Sequence, residues 1–279
     1  MGGLIMQITT LIDNISYLPE LRSEHGLSYY IETKDHKILF DTGQSSSFID
    51  NAKFLHIDLT QVDIVVISHG HYDHGGGLND FIALNNHAKV YLNKDAFNDY
   101  YSKNIETLKY IGLDKKLQNH PQISLVQTDT FVIDDGLIVY SAIDQVHLSP
   151  LGNNVLIEKR GFEIKADTFK HEQNLILLED NRCVLMAGCA HNGILNIVQQ
   201  ITQRSGFNIT HVFGGFHLYN LTKDIYEDDE RIIQLGEELL KTNAIYYTGH
   251  CTGIRAFDTL KRLMKDKIEY NPVGIIRII

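Results

Sequence analysis

The sequence predicts a mixed α/β fold in which two β-sheets are covered by helices. Short segments rich in β-branched and aromatic residues recur along the chain, bounded by turn residues as strands are. Other segments repeat apolar residues at helical spacing, and they fall between groups of strands. We expect strands at residues 4–12, 27–32, 37–40, 62–68, 89–92, 137–142, 154–158, 174–179, 182–187, 211–214 and 244–247, and helices at 76–85, 193–203, 228–241 and 253–265.

The chain length of 279 residues suits one large domain or two small ones, and 43% of the residues are hydrophobic, enough for a sizeable core. The chain has four prolines and no tract rich in Ser, Pro or Gly that would act as a linker. We therefore expect a single domain over residues 1–279. Residues 93–135 are polar, aromatic and too long for a plain connection, which predicts an insertion that caps a site.

The charge balance bears on partners. The chain has 25 basic and 35 acidic residues, a formal net charge of −10, whereas nucleic-acid binders need a basic surface. No signal peptide is visible, and no apolar run approaches the roughly 18 residues that span a bilayer. The three irregularly spaced cysteines are typical of free thiols in a reducing compartment. We predict a cytoplasmic protein with a small-molecule substrate and neither nucleic-acid nor membrane partners; a homo-oligomer stays open.

The strongest chemical signal is a dense histidine motif that directly follows the apolar strand 62–68. His69, His71, Asp73 and His74 lie within one short segment that runs into a glycine-rich turn. In an extended chain, residues 69, 71 and 73 point to one side, and a turn at the glycines brings His74 round. Three imidazoles and a carboxylate so close together form a ligand set for a divalent metal.

Three more histidines each follow a strand and stand beside glycines. His191, His217 and His250 occupy such positions, and strand ends at one edge of a sheet converge in space. We interpret all three as metal ligands. Asp41 also ends a strand, and we expect its carboxylate to orient the histidine motif by hydrogen bonds. Cys189 and Cys251 adjoin these histidines in sequence, and we interpret them as packing residues.

The ordered set of these residues resembles the metallo-β-lactamase superfamily over residues 25 to 253. The short motifs that surround these residues are similar to those of the 7,8-dihydropterin-6-methyl-4-(β-D-ribofuranosyl)aminobenzene 5′-phosphate synthase-like branch. These motifs are Ser23-Glu24-His25-Gly26-Leu27-Ser28, Phe40-Asp41-Thr42-Gly43-Gln44, Gly188-Cys189-Ala190-His191-Asn192-Gly193-Ile194, Gly214-Gly215-Phe216-His217-Leu218 and Gly249-His250-Cys251-Thr252-Gly253. The resemblance implies a four-layer αββα sandwich of the metallo-β-lactamase fold.

The resemblance also implies a role for each candidate residue. One metal would be held by His69, His71 and His191, and a second by Asp73, His74 and His250, with Asp41 supporting the loop. His217 stands where the superfamily commonly has an aspartate that bridges two metals. A neutral imidazole offers one lone pair and cannot bridge in that way, so the number of ions, one or two, stays open.

The chemistry that follows is metal-dependent hydrolysis by a metal-activated hydroxide. We expect Asp73 to orient the nucleophile or transfer protons, and His217 to stabilise charge on the substrate. Zinc fits the nitrogen and oxygen ligands best, with manganese and iron open. A phosphate ester, a phosphodiester or a pterin-related small molecule is the expected substrate.

Other readings compete with this one. A β-lactam hydrolase would normally be exported, and a tRNA-processing nuclease would need a basic surface. A mono-iron oxygenase is harder to separate from a hydrolase. A non-catalytic regulator that binds a metal or ligand on the same fold would carry the same residues.

Overall fold

The computed structural model describes residues 6–103, 107–147 and 149–279. Its strands are β1 (Gln7–Ile12), β2 (Ser28–Glu32), β3 (Lys37–Phe40), β4 (Ile64–Val66), β5 (Lys89–Asn93), β6 (Asp99–Lys103), β7 (Leu108–Tyr110), β8 (Ile123–Val126), β9 (Thr130–Asp134), β10 (Leu137–Ser141), β11 (Leu156–Arg160), β12 (Glu163–Ala166), β13 (Gln173–Glu179), β14 (Arg182–Met186), β15 (His211–Phe213), β16 (Tyr219–Asn220), β17 (Ile225–Tyr226), β18 (Ile245–Thr248), β19 (Ile268–Tyr270) and β20 (Ile276–Ile278). Its α-helices are α1 (Ser47–Phe54), α2 (Tyr72–Gly75), α3 (Leu78–Leu84), α4 (Ile194–Ser205), α5 (Asp229–Leu240) and α6 (Ile254–Met264).

The chain forms two compact units. The first comprises the described part of Met1–Asp99 together with Ile111–Thr128 and Asn271–Ile279. The second comprises the described parts of Tyr100–Tyr110 and Asp129–Tyr270. Each unit contains one seven-stranded sheet and its own helices, in agreement with the two helix-covered sheets expected from the sequence.

The sheet of the first unit has the strand order β20-β1-β2-β3-β4-β5-β8. Strands β3, β4, β5 and β8 run parallel, so their carboxyl ends lie along one edge. Helices α1 and α3 pack on this sheet through Phe48 and Phe81, which share a buried cluster with Leu39, Val65 and Val90. The parallel pairing matters for the site because Asp41 follows β3 and the histidine motif follows β4.

The sheet of the second unit has the order β19-β18-β15-β14-β13-β10-β9, and β14, β15, β18 and β19 run parallel. Helix α4 covers it with the apolar face expected from the spacing of Ile194, Ile197, Val198 and Ile201, all buried. Gly206, with φ +73°, ends the helix in the left-handed conformation that glycine favours. A four-stranded sheet, β12-β11-β6-β7, and a β16-β17 pair complete this unit.

The expected helices and most expected strands are present, with informative differences at their ends. The strand expected at 62–68 ends at Val66 because the Ser68 amide donates to the Asp41 carboxylate rather than to a neighbouring strand. The helix expected at 76–85 starts at Leu78. Residues 4 and 5 of the first expected strand lie outside the described residues.

The segment 93–135 is less irregular than the sequence suggests. It supplies β8 and β9, which are edge strands of the two large sheets, and the β6–β7 strands of the smaller sheet. Its role in capping a site stays a prediction. Among the described residues, no helix combines the length and the apolar character that a bilayer crossing requires.

Candidate metal-binding residues

The histidine motif in the first unit is a compact loop, here called the HxHxDH loop (residues 69–74). The ring centroids of His69 and His71 are 4.6 Å apart, and those of His69 and His74 are 4.1 Å apart. All three rings are buried. The sequence predicts an extended segment through residue 73, but the extended part ends at His71. Helix α2 begins at Tyr72 and carries Asp73 and His74 on its single turn.

Asp41 fixes this loop through three hydrogen bonds. Its Oδ1 accepts from the Ser68 amide at 2.7 Å, and its Oδ2 accepts from the Ser68 hydroxyl at 2.7 Å and from His74 Nδ1 at 2.7 Å. The Asp41 backbone has φ +59°, a conformation that a non-glycine residue rarely adopts, and the side chain is fully buried. The predicted orienting role of Asp41 therefore has a geometric basis.

These contacts determine which ring nitrogen carries a proton. His74 Nδ1 must donate to the Asp41 carboxylate, and in the neutral ring this leaves the lone pair on Nε2. The single hydroxyl proton of Ser68 goes to Asp41, so its oxygen accepts from His69 Nδ1, 2.9 Å away. His69 is thereby held with its lone pair on Nε2 as well. Such hydrogen bonding behind the ring is what orients metal-ligating histidines.

Asp73 places a negative charge beside these rings. Its Oδ2 lies 3.6 Å from His74 Nε2 and 3.3 Å from Nε2 of the partly exposed His25. Burial, with the Asp73 charge adding to it, raises the pKa of the neighbouring Tyr72 to about 12. Tyr72 therefore stays neutral near pH 7, and Asp73 supplies the negative charge.

Close backbone packing explains the glycines and Glu24 around the loop. A Cβ atom on Gly76 would lie 2.4 Å from the Tyr72 carbonyl oxygen and 2.5 Å from that of Gln44. Glu24 Oε1 accepts from the amides of Gln44 and Ser45 at 3.0 and 3.1 Å. Glu24 thus anchors the segment after Asp41 through its backbone.

In the second unit, the strand ends that carry the other histidines are joined to one another. The Gly215 amide donates to the Gly188 carbonyl at 2.7 Å, and the Phe216 amide donates to the Thr252 hydroxyl at 3.0 Å. Thr248 Oγ1 donates to the Gly214 carbonyl at 2.9 Å. Because β14, β15 and β18 are parallel, their carboxyl ends bring His191, His217 and His250, here called the strand-end histidines, to one edge of the sheet.

His191 is held by a neutral partner. Its Nδ1 lies 2.8 Å from Asn153 Oδ1, while Asn153 Nδ2 donates to the His191 carbonyl at 2.8 Å. The second bond requires Asn153 Oδ1 to face the ring, so Nδ1 donates and the lone pair is on Nε2. The ring also stacks on Phe169, with centroids 4.5 Å apart and an interplanar angle of 5°. Sequence analysis missed Asn153 because it lies far from His191 in the chain.

A buried carboxylate holds the backbone of the same loop. Glu172 accepts from the His191 amide at 2.6 Å, the Asn192 amide at 3.0 Å and the Asn192 side chain at 2.7 Å. Burial raises the pKa of Glu172, while the donors on Asn192 and His191 act against that rise. Three N–H donors to one buried side chain hold the loop in a single conformation.

His217 and His250 lie on strained backbone, with φ +50° and +48°. His217 is buried, and its ring centroid lies 4.2 Å from that of His191. Within the part of the chain that the structure describes, neither ring nitrogen of His217 has a hydrogen-bond partner. Leaving a buried polar group unsatisfied costs about 1–3 kcal/mol, so this ring needs a partner such as a water molecule or an ion.

Two cysteines that the sequence suggests as packing residues lie against His217. One ligand atom from each of Cys189, His217 and Cys251 lies within 4.8 Å of the others, and all three residues are buried. The signal in the sequence that indicates a ligand role for these cysteines is their position beside His191 and His250. By contrast, Cys183 is buried in the apolar cluster beneath α4.

The chain belongs to the metallo-β-lactamase superfamily, whose family model matches residues 22–192, more than half of the chain. The fold class expected from the sequence is confirmed. The superfamily generally comprises metal-dependent hydrolases, and the buried histidine, aspartate and cysteine groups described above are candidate metal ligands.

Two relatives and one solved structure are similar over nearly the whole chain. An uncharacterised protein of Methanocaldococcus jannaschii is 30% identical, covering 96% of this chain and 98% of that protein. The 7,8-dihydropterin-6-methyl-4-(β-D-ribofuranosyl)-aminobenzene-5′-phosphate synthase of the same organism is 26% identical, covering 97% and 96%. The crystal structure of Tm1679, a metal-dependent hydrolase of the β-lactamase superfamily, has 31% identity and a TM-score of 0.84, covering 98% and 99%.

Proposed function

We propose that this protein is a metal-dependent hydrolase that binds one or two divalent ions. The observation that carries the proposal is the hydrogen bond at Nδ1 of His69, His74 and His191, which in each neutral ring leaves the Nε2 lone pair for a metal. A ring that is merely structural does not need this arrangement, whereas a metal ligand does. The proposed ligands are His69, His71, Asp73 and His74 in the first unit and His191, His217 and His250 in the second.

When bound, a divalent metal would supply Lewis acidity and lower the pKa of water towards neutrality. Asp73, beside the imidazoles of His25 and His74, would orient a water molecule or accept its proton. His217, buried and without a hydrogen-bond partner among the described residues, would hold a metal or stabilise charge on a substrate oxygen. Zinc fits these ligands best, and manganese and iron are the alternatives.

The proposed substrate is a small phosphate ester, a phosphodiester or a pterin-related molecule. The similarity to the dihydropterin-linked 5′-phosphate synthase supports this class. The net charge of −10 speaks against a long polyanion such as RNA.

The first experiment measures metal content and hydrolysis together. Protein reconstituted with Zn²⁺, Mn²⁺ or Fe²⁺ is assayed on phosphate monoesters and diesters, alongside Asp73→Asn and His36→Gln. The His36–Asp63 pair is the control because it too places an imidazole beside a carboxylate, at 3.2 Å, but on the β2–β3 turn. We expect Asp73→Asn to lose turnover and His36→Gln to keep it. Substoichiometric metal after reconstitution would overturn the proposal, and full metal without turnover on any ester would favour the regulator.

A second experiment separates the two roles of His217. If His217 ligates a metal, His217→Ala lowers metal content with the fold intact, and His217→Asp restores it because a carboxylate can span two ions. If it contacts substrate instead, His217→Ala keeps its metal and loses turnover. Full metal and full activity in His217→Ala would remove the residue from the proposed site.

A further inference from the structure

The cluster of Cys189, His217 and Cys251 has the composition of a metal site that includes sulfur. Its two thiols and one imidazole come from three different strand-end loops, yet one ligand atom of each lies within 4.8 Å of the others. Zinc is commonly bound by mixed cysteine and histidine sets in tetrahedral geometry. Three protein ligands leave one position open for water or substrate, as catalytic sites do.

The backbone around the cluster is arranged to hold the sulfur of Cys251. The His217 amide donates to Cys251 Sγ at 3.3 Å, a contact that would stabilise negative charge on the sulfur. A Cβ atom on Gly215 would lie only 2.4 Å from the same sulfur, so glycine is what makes room for it. The backbone of Gly215 and His217 therefore fixes the position of the Cys251 sulfur on one side.

His217 supplies an independent indication of a ligand. Both of its ring nitrogens are buried, and among the residues described neither has a nitrogen or oxygen hydrogen-bond partner. Cysteine thiols are weak hydrogen-bond partners, so packing against the two cysteines alone would leave that ring poorly satisfied. A cation within the cluster would give one nitrogen a partner and draw both sulfurs toward the same point.

We infer that Cys189, His217 and Cys251 form a subsite for a thiophilic divalent cation of the Zn²⁺ and Cd²⁺ class. Each thiol would release its proton to solvent as a metal–sulfur bond forms. Thiolate ligands select zinc-like ions and disfavour Mg²⁺, Ca²⁺ and Mn²⁺, which prefer oxygen. The inference rests on the proposed metal-dependent function and narrows its choice of metal.

The test uses Co²⁺ as a spectroscopic substitute for zinc in the full-length protein. Sulfur ligands give cobalt an intense near-ultraviolet charge-transfer band, whereas nitrogen and oxygen ligands give only the weaker visible bands. We expect the wild type to show the charge-transfer band, Cys189→Ser and Cys251→Ser each to lose at least half of it, and Cys183→Ser to retain it. Cys183 is the matched control because it is equally buried but lies in the apolar core.

The outcomes separate the subsite from the proposed function. Cobalt bound with visible bands but no charge-transfer band in the wild type overturns the thiolate subsite and leaves a nitrogen and oxygen metal site standing. No cobalt binding at all overturns both proposals. The wild-type spectrum decides the matter even if a serine variant fails to fold, and a Cd²⁺ difference spectrum with its own sulfur band provides a second readout.

Discussion

The HxHxDH loop and the strand-end histidines are brought together by different features of the fold. The loop gathers four candidate ligands within residues 69–74, on a strand end and one turn of helix. The strand-end histidines lie between residues 191 and 250 and meet only because three strands run parallel. The loop can be recognised as a contiguous sequence motif, whereas the strand-end histidines come together only through the topology of a sheet.

The two groups also differ in what stands behind the rings. His74 donates to the carboxylate of Asp41, which is a charged acceptor, whereas His191 faces the neutral amide of Asn153. A carboxylate behind the imidazole raises its basicity more than an amide does, because the ion pairs with any positive charge that the ring acquires. We expect metal binding by His74 to depend more strongly on Asp41 than metal binding by His191 depends on Asn153.

The largest effect should come from removing a ligand in either group. His74→Ala and His191→Ala should each lower metal affinity and kcat/KM by more than about 100-fold, since even the groups behind such ligands contribute 10–100-fold. Metal analysis and steady-state kinetics, with His36→Gln as control, measure this. A variant of either residue that keeps full metal and turnover would remove its group from the site.

A smaller loss should follow from Asp41→Asn. The amide can accept from Ser68, but it removes the charge behind His74 and can turn a donor toward the ring. We expect a loss of about 10–100-fold in metal affinity. Competition with a chelator of known affinity measures the loss, and circular dichroism checks that the fold persists. An unchanged affinity would show that the Asp41 charge orients the loop without tuning the ligand.

The candidate ligands, the orienting carboxylate of Asp41 and four of the helices are predicted from the sequence, but Asn153, which holds His191, is not. The motif and the glycine-flanked strand ends are local patterns, whereas the Asn153–His191 contact spans 38 residues and depends on tertiary packing. Helix α1 was not expected because its buried face includes the polar Asn51, which breaks the apolar pattern. Asn51 is buried there because its side-chain amide donates to the Leu11 and Arg22 carbonyls, at 2.8 Å in each case.

The neutral partner gives the next smaller effect. Asn153→Ala removes the acceptor behind His191 and the donor to the His191 carbonyl, so the ring loses orientation but no charge. We expect about a tenfold loss of metal affinity, at the lower end of the range for such partners. The same chelator competition applies. A loss equal to that of Asp41→Asn would show that ring orientation, rather than charge, accounts for both effects.

The smallest effects should come from alanine substitutions at Gly76 and Gly215, which test how easily the surroundings of each ligand group can move. A Cβ on Gly76 meets two backbone carbonyl oxygens at 2.4 and 2.5 Å, whereas a Cβ on Gly215 meets the Cys251 sulfur at 2.4 Å. Backbone cannot move aside easily, so Gly76→Ala should cost about 1–3 kcal/mol in the free energy of unfolding. Gly76 already has helical angles, φ −65° and ψ −33°, so the cost is steric rather than conformational.

Gly215→Ala should cost less stability, because a side chain can shift where backbone cannot, but it should move the sulfur of Cys251. Urea unfolding followed by circular dichroism measures the first effect, and the cobalt charge-transfer band measures the second. We expect Gly76→Ala to lower the unfolding midpoint more than Gly215→Ala, and only Gly215→Ala to weaken the band. Because the HxHxDH loop carries no sulfur, a weaker band in Gly76→Ala would mean that the two ligand groups are not independent.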